Sequence, residues 1–219
     1  MKKTISSIII TLFGLISANA QYYIGGSLSL NVSSQSVEQM NNKSNPSYSF
    51  SLSPEIGYSL NEKMDIGLLF SIGTSSSKIS SIGLNPDGYW IGFTNDSNTK
   101  SFQISPYFRY SFVKWKRFNL LGSINAQLSS AKIKSEDSSF WESSSESKQT
   151  SWGVTIHPVL IYDLSDRWAL ISHLNFFRFG FSQVKTETDT PPATSIETGF
   201  NLGIDTNNVI PAIGFIYKF

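Results

Sequence analysis

Between Tyr48 and Leu60 the chain repeats with a period of two. Tyr48, Phe50, Leu52, Pro54, Ile56, Tyr58 and Leu60 occupy one phase, and Ser49, Ser51, Ser53, Glu55, Gly57 and Ser59 the other. Successive side chains of a β-strand point to opposite faces, so this segment presents one apolar and one polar face. A helix would spread the same residues around its whole circumference. The segment therefore demands a strand whose two faces meet different surroundings.

The pattern recurs along the chain. Tyr22 to Val32, Phe102 to Phe112, Phe118 to Leu128 and Trp152 to Tyr162 carry most of their apolar residues on even positions. Met64 to Ile72 does the same, with Leu69 out of phase. The segment from Trp168 changes phase: Trp168, Leu170, Leu174 and Phe176 share one face, then Phe177, Phe179 and Phe181 take the other. A β-bulge near Phe176 would produce that switch, because one inserted residue flips every later side chain. The last segment sets Pro211, Ile213, Phe215, Tyr217 and Phe219 against Ala212, Gly214, Ile216 and Lys218. The reading is eight antiparallel strands. Pro54, Pro106, Pro158 and Pro211 fall on the apolar phase, and each is expected to mark a local irregularity in the ladder.

The connections alternate between two kinds. Asn61-Glu62-Lys63, Val113 to Arg117 and Ser165-Asp166-Arg167 are tight, whereas Ser34 to Pro46, Ser77 to Lys100, Lys132 to Gln149 and Thr186 to Glu197 are long and polar. Asn85-Pro86-Asp87-Gly88 is a turn signal, so the strands on either side of it are expected to continue as a hairpin tipped there. The serine-rich stretch Ser135 to Ser147 has the composition of a mobile loop.

The amino terminus explains where such strands could work. Lys2 and Lys3 precede an apolar run from Ile5 to Ile16, followed by Ala18-Asn19-Ala20 before Gln21. A basic start, a run shorter than the roughly 20 residues of a membrane helix, and small residues at a cleavage site read as a signal peptide. The mature chain is expected to begin at Gln21, giving a signal over 1–20 and one domain over 21–219. The mature part keeps 15 basic against 16 acidic residues and has no cysteine. That near-neutral balance, with no basic stripe, argues against nucleic-acid binding. Charged residues are 15% and aromatic residues 14% of the chain, which is poor in charge for a soluble domain. Only helices and closed barrels satisfy their backbone in lipid, and short periplasmic turns alternating with long external loops fit an outer-membrane barrel. Tyr22, Tyr58, Tyr110, Phe112, Trp115, Phe118, Tyr162, Trp168, Tyr217 and Phe219 gather at the short-turn ends, where an aromatic girdle belongs. A soluble periplasmic β-sandwich is the rival fold.

A cleaved signal, eight alternating strands and the closing Phe215-Ile216-Tyr217-Lys218-Phe219 resemble the small outer-membrane β-barrel family of OmpA-transmembrane and OmpX type. The Ala-Asn-Ala-Gln junction and the Asn-Glu-Lys turn look like versions common in Bacteroidetes. The resemblance implies an eight-stranded up-and-down barrel in the bacterial outer membrane. It also implies that Ile213, Phe215, Tyr217 and Phe219 form the signal read by the barrel-assembly machinery. Lipid, that machinery and periplasmic chaperones are the implied partners of a monomer, and no external ligand is named.

Inward positions include Glu55, Asp65, Arg109, His157, Asp163 and His173. Charges inside a membrane barrel should pair with one another, and Glu55 is expected to meet Arg109. Some barrels of this size resemble lipid A deacylases or acyltransferases, which need a serine beside a histidine. Ser172-His173 invites that idea, but adjacent strand residues face opposite ways. Two histidines without cysteine offer no metal-ligand spacing, so no metal and no cofactor is expected. Tyr89, Trp90, Phe140 and Trp141 are aromatic residues placed on the long loops, as binding residues or as rim packing. The reading is a non-enzymatic barrel serving adhesion, surface protection or envelope integrity. A lipid-modifying enzyme and a narrow channel are the alternatives.

Overall fold

A computed structural model describes residues 21–37, 43–84, 90–137, 143–174, 177–189, 192–204 and 212–219. These residues form ten antiparallel strand segments and no helix. They are β1 (Gln21–Val37), β2 (Lys43–Asn61), β3 (Met64–Leu84), β4 (Trp90–Trp115), β5 (Phe118–Asp137), β6 (Ser143–Asp163), β7 (Trp168–His173), β8 (Phe177–Asp189), β9 (Pro192–Ile204) and β10 (Ala212–Lys218). The ring runs β1-β2-β3-β4-β5-β6-β7-β10, and β10 returns to β1. Eight staves therefore close the barrel, as the alternation requires. β8 extends the seventh stave and β9 the eighth.

The apolar phase is the outer face. Tyr22, Ile24, Leu28, Leu30, Leu52, Ile56, Phe102, Ile124, Leu128, Trp152, Ile213 and Phe215 are all exposed. That much solvent-facing hydrophobic surface is stable only against lipid. Aromatic rings at the short-turn end pair across neighbouring strands: Tyr22 with Tyr58 at 4.8 Å, Phe118 with Tyr162 at 4.6 Å and Trp168 with Tyr217 at 5.0 Å between centroids. The last residue belongs to this belt, since Phe219 packs on Tyr217 and its backbone N–H donates to Tyr22 O at 3.0 Å.

The phase switch in the seventh stave has a larger cause than one extra residue. Ile156 faces Phe179 and Val159 faces His173, so three steps on β6 match six on the stave beside it. Three residues are surplus, an odd number, and Leu170, Phe179 and Phe181 all end on the lipid side. Asn175 and Phe176, the expected place of a bulge, lie outside the described residues. The eighth stave loops further: His173 faces Ala212 and Phe177 faces Ile204, so four steps match eight.

Pro54 and Pro106 disturb pairing without shifting register. Pairing of β2 with β3 lapses between Leu52 and Glu55, and that of β4 with β5 between Ile104 and Tyr107, yet the register continues unchanged on both sides. A proline lacks the N–H that one neighbour needs, while the opposite ladder stays continuous through Pro54 and Pro106. Pro158 falls where β6 changes partner from β8 to β7. Pro211 lies outside the described residues. Within single strand pairs, the register shifts sit beside two tight turns, between Ser59 and Asn61 and between Ser111 and Val113.

The strands expected to continue on either side of Asn85 to Gly88 do so, and paired strand also enters the other long polar connections, which corrects the expectation of loops there. β3 and β4 stay paired up to Leu84 and Trp90, β5 and β6 up to Asp137 and Ser143, and β8 and β9 up to Asp189 and Pro192. In the Ser135 to Ser147 stretch, Ser135 to Asp137 and Ser143 to Ser147 are thus paired strand rather than free loop, and 138–142 lie outside the described residues. Antiparallel pairing satisfies the backbone in water as it does in lipid, and serine, threonine and lysine are tolerated where both faces are wet. The Asn85 to Gly88 tip lies outside the described residues, but the pairing that leads to it is present. The second tight turn is shorter than expected, because β4 continues to Trp115 and leaves Lys116 and Arg117, with Lys116 at φ 53°.

Candidate functional site

Among the described residues, ionisable groups converge away from water in the barrel interior. β4 carries Arg109 inward and β2 carries Glu55 inward, because both lie on the polar phase. The guanidinium meets the carboxylate twice, Nη2 to Oε2 at 2.6 Å and Nη1 to Oε1 at 3.3 Å. Both side chains are almost wholly buried. Arg109 also lies 4.0 Å over the Tyr107 ring, and the Tyr107 hydroxyl shares a 2.9 Å hydrogen bond with the Tyr23 hydroxyl. The expected pair is therefore present, and two tyrosines extend it across the lumen.

An apolar cluster also fills part of the middle, among buried polar groups such as Ser105, Ser123 and Asn125. Tyr23, Leu121, Val159, Ile161, Ala169, Ile171 and Ile216 form a buried cluster. These residues occupy inward positions that the alternation assigns to polar groups. Their signal is in the sequence as short runs apolar on both phases, Leu120-Leu121, Val159 to Tyr162 and Ala169 to Ile171. Such runs mark strands covered on both faces. Lipid covers one face here and the packed lumen the other.

Two polar cavities flank this plug and share no lining residue. One, of about 240 Å³, sits at the short-turn mouth and includes Asp65, Ser59, Ser111 and Asn119. The other, of about 380 Å³, is lined by serines of β1, β2 and β3 together with Gln103, Gln127, Thr155, His157 and His173. Its walls hold themselves in place. Ser53 and Ser71 share a hydrogen bond at 2.9 Å, and Gln127 Nε2 donates to Thr155 Oγ1 at 2.7 Å.

The six inward ionisable groups do not form one network. Asp65 stands directly across from Arg109 in the β3–β4 ladder. Asp163 pairs instead with Lys218 at 2.6 Å, at the mouth. His157 and His173 meet each other, Nε2 to Nδ1 at 3.3 Å. Ser123 Oγ donates to Asn125 Oδ1 at 3.2 Å, which turns the Asn125 amide nitrogen toward His157 Nδ1 at 3.1 Å. An amide nitrogen only donates, so His157 Nδ1 accepts from Asn125 while Nε2 faces His173. Ser172 faces the lipid side with Leu160 and Ile213, whereas His173 is buried inside, so the two cannot act together. Among the described residues no group of three His, Cys, Asp or Glu is placed to hold a metal ion. Trp90 begins β4 opposite Leu84, while Tyr89, Phe140 and Trp141 lie outside the described residues, as do Ala18 and Ala20. Gln21 opens β1.

The closed ring, the lipid-facing apolar phase and the ion pair buried in the lumen are the features of a membrane barrel. A family model described as outer membrane protein beta-barrel domain matches residues 8–205. The chain belongs to this family. It is an outer-membrane β-barrel protein of a bacterium. Similar solved structures include Neisserial surface protein A, 16% identical, covering 92% of this chain and 99% of that one at a TM-score of 0.39. A major outer membrane protein from Thermus thermophilus is 10% identical, covering 91% and 99% at 0.44. The attachment invasion locus protein Ail of Yersinia pestis is 12% identical, covering 91% and 97% at 0.32. The likeness is too distant to carry a role across. No curated protein matches the chain.

Proposed function

We propose that this barrel is a non-enzymatic surface protein whose task is carried by its external hairpins, with a lumen closed to bulk passage. The observation that supports it is the length of paired strand beyond the lipid-facing band. Above the Ile72–Phe102 pair, β3 and β4 continue through twelve further pairs to Leu84 and Trp90. At about 3.3 Å per residue that is about 40 Å of chain. Above the Leu128–Trp152 pair, β5 and β6 add nine more. Short turns belong to the periplasm and long connections to the outside, so these hairpins stand on the cell surface as a stiff serine-, threonine- and lysine-rich wall. Such a wall suits recognition or shielding, through adhesion, surface protection or envelope integrity.

The test is complementation of a deletion strain. A barrel in which residues 78–96 are replaced by an Asn-Gly turn should assemble normally and fail to restore adherence or serum resistance. Full restoration by the shortened barrel would refute the reading. The lipid A mass spectrum of the deletion strain is expected to match the parent, and an altered acyl count would instead assign an enzyme. Planar-bilayer recording is expected to show no discrete conductance steps, because the plug separates the two cavities.

A further inference from the structure

Three lysines that are remote in sequence stand side by side on the outer wall. Lys100 lies directly opposite Lys132, and Lys132 directly opposite Lys148. All three are exposed and share the outward phase of Phe102, Leu128 and Trp152. Lys134, opposite Glu146, and Lys185, opposite Thr150, are on the same face. Adjacent strands lie about 4.8 Å apart, so three ammonium groups are rooted within about 10 Å. Like charges directly opposed destabilise a sheet.

The acidic residues on this face do not balance them. Glu146 bridges Lys132 and Lys134, and Glu187 pairs with Lys185 at 2.5 Å. The hydrogen bond from Lys132 holds the Glu146 carboxyl below the usual carboxylate range, so it stays charged and competes for the lysines. Five lysines against two glutamates leave three positive charges. Lys100 has no ion pair among the described residues, and Lys148 stands opposite Glu187, a carboxylate that bonds to Lys185 and only partly offsets it. Farther out, Asp96 is held by Lys78 at 3.4 Å and faces Glu136, which bounds the basic patch on that side.

The patch begins where the apolar band stops. Phe102 and Trp152 each stand two or four residues below a lysine of the row, and Trp152 Nε1 donates to Gln183 Oε1 at 2.9 Å, as an amphipathic ring does at a membrane surface. We infer that the Lys100-Lys132-Lys148 row binds a phosphate-bearing lipid headgroup of the outer leaflet, whose acyl chains lie on Phe102, Leu128 and Trp152. A phosphate monoester carries close to two negative charges and three strong acceptor oxygens, enough to engage more than one lysine. Its lipid tail meets the exposed side chains immediately below.

The test is native mass spectrometry of the full folded barrel, released from zwitterionic micelles titrated with phosphatidic acid. Phosphatidylcholine and inorganic phosphate serve as parallel probes. Phosphatidic acid should remain bound while phosphatidylcholine does not. Each lysine near an anionic lipid surface is worth about fivefold in affinity, so K100Q/K132Q/K148Q should weaken binding on the order of 100-fold. Glu146→Gln should strengthen it several-fold by freeing Lys132 and Lys134, a gain that no folding defect would mimic. The charge-matched variant K63Q/K114Q/K116Q, altered at the short-turn end, should bind as the parent does. Undiminished binding by K100Q/K132Q/K148Q with normal heat-modifiable migration would overturn the inference, and so would weaker binding by Glu146→Gln. Equal binding of inorganic phosphate and phosphatidic acid would overturn the lipid assignment in favour of a free anion site.

Discussion

The Glu55–Arg109 pair offers the sharpest test of how the lumen is held shut. Removing one member of a buried ion pair strands the other in a place without water, at a cost of about 3–5 kcal/mol. The two removals are not equivalent here. Arg109→Met leaves Glu55 with no other ion pair among the described residues, and it also removes the cation lying over Tyr107, worth about 0.5–2 kcal/mol. Glu55→Gln leaves the guanidinium facing Asp65 across the β3–β4 ladder, a second anion that offsets part of the loss. The expected order is therefore about 5 kcal/mol for Arg109→Met and about 3 kcal/mol for Glu55→Gln. With both charges gone, nothing is stranded, so R109M/E55Q should cost less than Arg109→Met alone. Arg109 Nε has no hydrogen-bond partner among the described residues, which lowers what the intact pair contributes. Equilibrium unfolding in urea from detergent micelles, followed by tryptophan fluorescence, measures all three. Additive costs in R109M/E55Q would refute the coupling, and a larger loss from Glu55→Gln than from Arg109→Met would refute the role given to Asp65.

Other consequences of the packing can be checked with the same preparation. A Cβ on Gly67 would overlap the Tyr107 hydroxyl and crowd Ile56 O, so Gly67→Ala should destabilise the barrel by about 1–3 kcal/mol in urea unfolding. A Cβ on Gly214 would overlap Gly26 O on the strand that closes the ring, so Gly214→Ala should reduce the heat-modifiable folded fraction more than Gly203→Ala, where space is open. Lys116 holds a left-handed backbone in the turn after β4, and Lys116→Gly should stabilise by about 0.5–1 kcal/mol. Amino-terminal sequencing of the outer-membrane form should begin at Gln21. Phe219→Ala should slow assembly in cells while leaving the final folded stability within about 1 kcal/mol, measured as folded fraction against time after induction.

What the sequence declares about this fold follows from where the solvent differs on the two sides of a strand. Within the bilayer one face meets lipid, so each outward residue from Tyr22 to Phe219 is constrained alone and the phase can be read locally. The Arg109–Glu55 pair was legible for a related reason: two opposite charges forced inward have few partners. Beyond the bilayer both faces are wet, and the alternation that identifies strands disappears, although the pairing does not. The stretch 132–149 therefore reads as a loop while its backbone continues the β5–β6 ladder to Asp137 and Ser143. The three-residue surplus in the seventh stave was visible only as parity, since one extra residue and three flip the phase alike. The lysine row was the least legible feature, because Lys100, Lys132 and Lys148 lie on three strands and no local pattern links them. Only the register makes them neighbours, and it does so at the edge of the apolar band. Register is thus where this chain hides its surface chemistry: the face each residue takes is written locally, but the residue beside it on the next strand is set by turn length and bulges elsewhere.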